Sequence, residues 1–163
     1  MIVILYVLLV YILFCKVWPY FLYPNYFKKS KIEDYDNIKK LASKLKNKNK
    51  IETLKNVSNY MNETYFSYER VFQIKSILTL FNIGDFDTKN ILNKKQFLWC
   101  HNQNRLFKSI LVNTDLFNEK EIKIEKRYFK SFFIHQWLSV NVGEKIIKID
   151  PYYKIFEIKL TNR

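Results

Sequence analysis

Glycine and proline are nearly missing from the 163-residue chain, at two and three respectively, so its turns have to be built on Asn, Asp and Lys. A Gly-rich phosphate-binding loop is excluded with them. Cysteine is almost as rare. Cys15 lies in an apolar N-terminal run and Cys100 far down the chain, which makes no disulfide framework and leaves the redox compartment open. The two histidines, His101 and His135, show no His-Glu-x-x-His spacing, and Cys-x-x-Cys is absent too. A zinc set of Cys100, His101, His135 and Asp150 therefore has no spacing behind it. No metal or organic cofactor is expected.

Acidic residues are also scarce, 15 against 28 Lys and Arg, which leaves a formal charge of +13. Such an excess invites a nucleic-acid or anionic-membrane partner. The lysines are scattered, however, and Lys, Asn, Ile, Tyr and Phe are over-used together, the mark of AT-rich coding rather than of a binding face. The one dense run, 44–50, interleaves Lys with Asn and reads as a solvated loop. No aromatic RNA-binding signature accompanies it, and no specific nucleic-acid partner is expected. What the chain has in quantity is apolar surface: 48% hydrophobic and 18% aromatic residues, enough for one packed domain.

Charge is absent from residues 2–15, and the apolar character runs on past Lys16 to Tyr26. A membrane span needs roughly 20 residues, which the run reaches at Tyr23 if Lys16 snorkels. Trp18, Tyr20, Tyr23 and Tyr26 then resemble an aromatic belt, followed by Lys28, Lys29 and Lys31. No basic residue precedes the run and no small-residue cleavage motif follows it. The expectation is an uncleaved single-pass anchor over 1–27, with the domain of 31–163 on the cytoplasmic side by the positive-inside rule.

Within 31–163, Ile32, Tyr35, Ile38, Leu41 and Leu45 predict an amphipathic helix over 31–45, with Glu33, Asp34 and Asp36 near its positive end. Ile51, Leu54, Val57 and Met61 predict a second helix. A third is expected over 68–81, stopped near Gly84, and a short turn follows at Asp87 or Thr88. Leu106, Phe107, Ile110 and Leu111 predict a helix opened by Cys100. Beyond Phe117 the period falls to two, around Ile122–Ile124, 134–142 and 156–160, as in half-buried strands. Helices followed by an antiparallel sheet make an α+β domain.

The stretch 133–152 reads as a hairpin turning at Gly143-Glu144. A two-residue turn pairs Val142 with Lys145, Val140 with Ile147 and Trp137 with Asp150. His135, two residues from Trp137, then shares a face with Asp150 as its diagonal neighbour, roughly 7–8 Å away at the backbone and within side-chain reach. A slip of one residue would put them on opposite faces. Cys100 stands at a helix N-terminus, where the dipole favours thiolate and backbone N–H groups can hold an oxyanion. Thiol, imidazole and carboxylate are the parts of an activated nucleophile: Cys100 attacks, His135 moves the proton, and Asp150 fixes the tautomer. His101, next to Cys100, diverges from it on the helix and is not expected to take part.

Cys100 opening a helix, His135-Gln136-Trp137 on a strand and Asp150-Pro151 after it together resemble the transglutaminase-like core, over roughly 31–156. The resemblance implies a papain-like Cys–His–Asp site and thiol acyl transfer on peptide or carboxamide bonds, with peptidase or amidase action favoured over cross-linking. It implies a peptide or protein substrate and puts Trp137 beside the site as a candidate substrate contact. The sequence departs from the family at Leu98, where a Gly is common, at Gln136, where a small residue is usual, and at Ile147, where a Trp is usual. The rival expectation is an inactive module of the same fold that binds a partner at the membrane.

Overall fold

The computed structural model describes residues 2–16, 32–70, 92, 95–128 and 134–161. The first element, α1, spans Ile2–Lys16 and is apolar on every side. Residues 2–7, Leu9 and Val10 are exposed, from 84% at Ile2 to 46% at Val10. Fifteen residues rise about 22 Å, short of the ~30 Å of bilayer hydrocarbon. No helix among the described residues is long and apolar enough to cross a membrane. The remainder of the expected span, 17–27, lies outside the described residues.

Helix α2, Asp36–Leu45, begins later than the pattern of apolar residues predicts. Ahead of it the chain is not helical, because tertiary hydrogen bonds claim its backbone. Glu33 N–H donates to Ser109 Oγ at 3.0 Å, Asn113 Nδ2 donates to Glu33 O at 2.9 Å, and the Glu33 carboxylate pairs with Arg105. Only Asp36 therefore stands in the first turn, while Asp34 reaches Lys39 at 2.8 Å. Helix α3 spans Lys50–Thr64, capped by Asn49, whose side chain accepts from Ile51 N–H at 2.8 Å. The basic run 44–50 is thus a loop only in its middle. Lys44 lies in the last turn of α2, and Lys50 opens α3 and pairs with Glu121 at 2.8 Å.

Of the expected third helix, only Tyr68–Arg70 is described, as a single 3-10 turn; the rest, with the stop at Gly84 and the turn at Asp87 or Thr88, lies outside the described residues. Two short parallel strands, β1 (Tyr65–Phe66) and β2 (Gln96–Phe97), pair there and lead the chain to Cys100.

Helix α4, Cys100–Val112, is the centre of the fold. It packs on α2 and α3 on one side and on the large sheet on the other. That is why Leu106, Phe107, Ile110 and Leu111 are all fully buried rather than only a single stripe. The sheet is an antiparallel meander of β3 (Ile122–Tyr128), β4 (Ile134–Val142), β5 (Lys145–Asp150) and β6 (Ile155–Leu160), in that order. Leu138, Val140, Ile147 and Ile149 supply its share of the core. The molecule is mixed α+β, with helices ahead of an antiparallel sheet.

The β4–β5 register is the one that the turn predicts: Val142 faces Lys145, Val140 faces Ile147 and Leu138 faces Ile149. Gly143 has φ +60° while Glu144 does not enter the left-handed region, the pattern of a type II′ hairpin turn. The scarce glycine is spent where the hairpin needs it.

Candidate functional site

Cys100 is the first residue of α4, preceded by Trp99 in extended conformation (φ −69°, ψ 156°) with no side-chain cap. The helix's own ladder begins with Gln103 N–H on Trp99 O at 3.0 Å. The thiol therefore lies at the positive pole of a helix that the core holds along its length. Cys100 is buried, at 8% exposure, and forms no disulfide.

His135 comes from the start of β4 and Asp150 from the end of β5. Continuing the register from Leu138–Ile149 puts Asp150 opposite Trp137 and diagonal to His135. The side chains close that diagonal, with His135 Nε2 2.6 Å from Asp150 Oδ2. This short contact engages Nε2, and the Cys100 side chain hydrogen-bonds the same imidazole. The carboxylate's other oxygen accepts from Tyr153 N–H at 3.3 Å, which locks the turn after β5 to the same group.

All three side chains are buried, with His135 at 7% exposure and Asp150 at 2%. Burial alone would lower the His135 pKa. The hydrogen bonds that the ring makes to Asp150 and Cys100, and the charges of both, outweigh it and raise the imidazole to about 9. His101 behaves in the opposite way: burial, and then the Arg105 charge, push it down to about 4. Near neutral pH His135 is the protonated imidazole and His101 the neutral one.

Aromatic rings wall the imidazole. Tyr153 meets it edge-on at 4.7 Å, Trp137 stacks at 6.1 Å, and Tyr152 is tilted at 6.0 Å. Trp137 is half-buried and also carries Lys148 Nζ over its ring at 5.5 Å, so it packs on the histidine from the sheet side. Burial, followed by the Cys100 charge, raises the Tyr152 hydroxyl's pKa, which puts that ring near the sulfur as well.

A hydrogen-bonded strap joins the segments that carry Cys100 and Asp150. Fully buried Gln103 donates through Nε2 to Leu98 O at 2.9 Å and to Ser67 Oγ at 3.2 Å. Ser67 Oγ in turn donates to Pro151 O at 3.3 Å. The same helix buries unsatisfied groups. Gln103 Oε1 and both amide atoms of Asn104 have no partner among the described residues.

Sequence reasoning places Cys100, His135, Asp150 and Trp137, and the fold brings these four together. It does not find Ser67, Gln103 or Tyr153. Gln103 lies within a turn of the cysteine, but its role depends on tertiary partners, and nothing around Ser67 marks it. Tyr153, three residues past Asp150, had a signal: an Asp that ends a strand commonly accepts from the backbone of the turn it starts. The three departures from the family pattern are packing residues, with Leu98 5% exposed, Gln136 3% and Ile147 fully buried. Among the described residues no group of His, Cys, Asp and Glu side chains is arranged to hold a metal ion. Comparison with models of known families, with curated proteins and with solved structures finds no match.

Proposed function

We propose that this chain is a transglutaminase-like thiol acyl-transfer enzyme acting on peptide or carboxamide bonds, with Cys100 as nucleophile. The observation that carries the reading is the continuous hydrogen-bonded line from Cys100, at a helix N-terminus, through His135 to Asp150. The elevated His135 pKa favours an imidazolium beside the Cys100 sulfur, the partner that a cysteine nucleophile needs.

In the reaction, the Cys100 sulfur adds to the carbonyl carbon, and the N-terminal pole of α4 stabilises the oxyanion that develops. The imidazolium gives its proton to the amine nitrogen as the C–N bond breaks, leaving a thioester and neutral His135. Asp150 holds the ring so that one nitrogen always faces the sulfur. Water, deprotonated by His135, attacks the thioester in hydrolysis; an amine takes the same path in cross-linking. Cys100 is buried, and hydrolysis, unlike cross-linking, needs no second binding groove, so peptidase or amidase action is favoured. Helix α1, apolar in sequence and exposed at residues 2–7, Leu9 and Val10, supports a membrane-associated location for the chain.

The decisive test is alkylation of the full chain by iodoacetamide across pH, compared with His135→Ala. Reaction at Cys100 well below pH ~8.5, lost in the variant, is the expected result. Ordinary thiol behaviour in both proteins would sink the enzyme reading in favour of an inactive module.

A further inference from the structure

Two tyrosines, one against the imidazole and one against that ring, are not consumed by packing. Tyr153 is 38% exposed and Tyr68 is 46% exposed, and their rings lie 5.3 Å apart at a 40° tilt. They come from different segments: Tyr68 opens the 3-10 turn after β1, and Tyr153 sits in the turn after β5. An ion pair from Lys154 to Glu69, at 2.7 Å, ties the same two segments on the rim. Lys154 has φ +57°, so the turn takes on local strain while presenting Tyr153. The shelf is registered to the chemistry, because Tyr153 N–H donates to Asp150 Oδ1 and its ring meets His135 at 4.7 Å.

Large aromatic rings left facing solvent cost hydration free energy, which a bound apolar group relieves. Proximity to His135 also decides which part of a substrate would lie there. In acyl transfer the imidazole serves the amine nitrogen, giving it a proton as it leaves and taking one as it attacks. That nitrogen must come within hydrogen-bond reach of the ring, so the group attached to it is the part of the substrate adjoining Tyr153.

We infer that Tyr68 and Tyr153 form a subsite for an aromatic or large aliphatic side chain on the amine side of the bond, the residue after the scissile bond or the acceptor amine. This rests on the acyl-transfer reading above and names one side of its substrate. Run as aminolysis, the amine nitrogen attacks the Cys100 thioester, the C–N bond forms and the C–S bond breaks. The amine's proton passes to His135, and the sulfur leaves as the thiolate of Cys100, so no further co-reactant is needed. Among the described residues, Lys154 and Glu69 beside the shelf are paired with each other, so neither is left to favour a charged side chain.

The test loads the full chain with p-nitrophenyl acetate, whose leaving group is not an amine, and partitions the acyl-enzyme between water and amino-acid amides. Phenylalaninamide and leucinamide are expected to capture the acyl group about tenfold better than glycinamide or aspartamide, per enzyme acylated. Tyr68→Ala and Tyr153→Ala should reduce that preference to roughly twofold or less, and Tyr153→Phe, which keeps the ring, should retain it. Equal capture of all four amides by the parent, or an aromatic preference that survives both alanine variants, overturns the subsite while leaving the nucleophile intact. Absence of a p-nitrophenol burst, together with ordinary iodoacetamide reactivity, overturns the acyl-transfer reading itself and the subsite with it.

Discussion

His135 Nε2 and Asp150 Oδ2 lie 2.6 Å apart, though their residues sit on different strands and are not directly opposed. The contact is a diagonal one, and it holds the imidazole in a single orientation. Asp150→Asn keeps the shape but offers an amide that can turn either atom to the ring, so the favoured tautomer is lost. Turnover is expected to fall by roughly 10²–10⁴-fold, with little change in overall fold. Low-pH alkylation of Cys100 should weaken with it. A variant with parental alkylation and turnover would show that the carboxylate does not orient the histidine.

The same pair sets a pH dependence. The folded-state pKa of His135 is raised to about 9, above its ordinary value of 6.5, so the folded protein holds this proton more tightly than the unfolded chain. The stabilisation is fully present below pH about 6.5 and is lost as pH rises through about 9. Urea midpoints of the parent should therefore fall between pH 6.5 and 9.5, while those of His135→Gln stay flatter over this window. A parental profile that rises over the same range contradicts a raised imidazole.

The hairpin was the most legible part of the chain, because two constraints act on it together. Alternation fixes which residues face the core, and the Gly143 turn fixes their pairing; the observed register follows from both. The start of α2 was illegible for the opposite reason. Ile32 and Tyr35 fit helical spacing, but Glu33 is held by Ser109, Asn113 and Arg105, all remote in sequence, and these bonds outweigh a weak local preference. The Ser67–Gln103 strap and the tyrosine shelf likewise depend on which loops meet, which periodicity does not encode.

Gly143 provides a way to test the turn apart from the chemistry. A Cβ there would meet no atom within 4 Å, so the cost of Gly143→Ala is conformational and not steric crowding. At φ +60° an L-residue costs about 1–2 kcal/mol. The melting temperature should drop by several degrees. Gly143→Asn, which tolerates the left-handed region better, should drop it less. An alanine variant as stable as the parent would mean that the turn is not held in this geometry.

Asn104 is fully buried on α4 with both side-chain amide atoms unpartnered among the described residues. A buried amide without hydrogen bonds costs about 1–3 kcal/mol of desolvation. Asn104→Leu, of similar size, should raise the denaturation midpoint by an amount within that range. Destabilisation instead would show that the amide serves a partner, such as a bound water or substrate near the thiol's helix.

The exposed apolar helix α1 sets the last expectation. Its residues from Ile2 to Val10 would be unstable facing water, and a charge of +13 would by itself draw the chain to anionic lipid. The two causes separate by salt. Electrostatic adsorption is screened in molar salt, where the Debye length falls to about 3 Å, while apolar insertion persists. The full chain should therefore float with neutral phosphatidylcholine vesicles in molar salt. Leu5→Glu with Leu9→Glu adds two carboxylates to the apolar run, each costing about 2.5–3.5 kcal/mol at the centre of a bilayer, and should leave the protein in the aqueous fraction. If the parent binds only anionic vesicles and is released by salt, the lysines and not α1 make the contact.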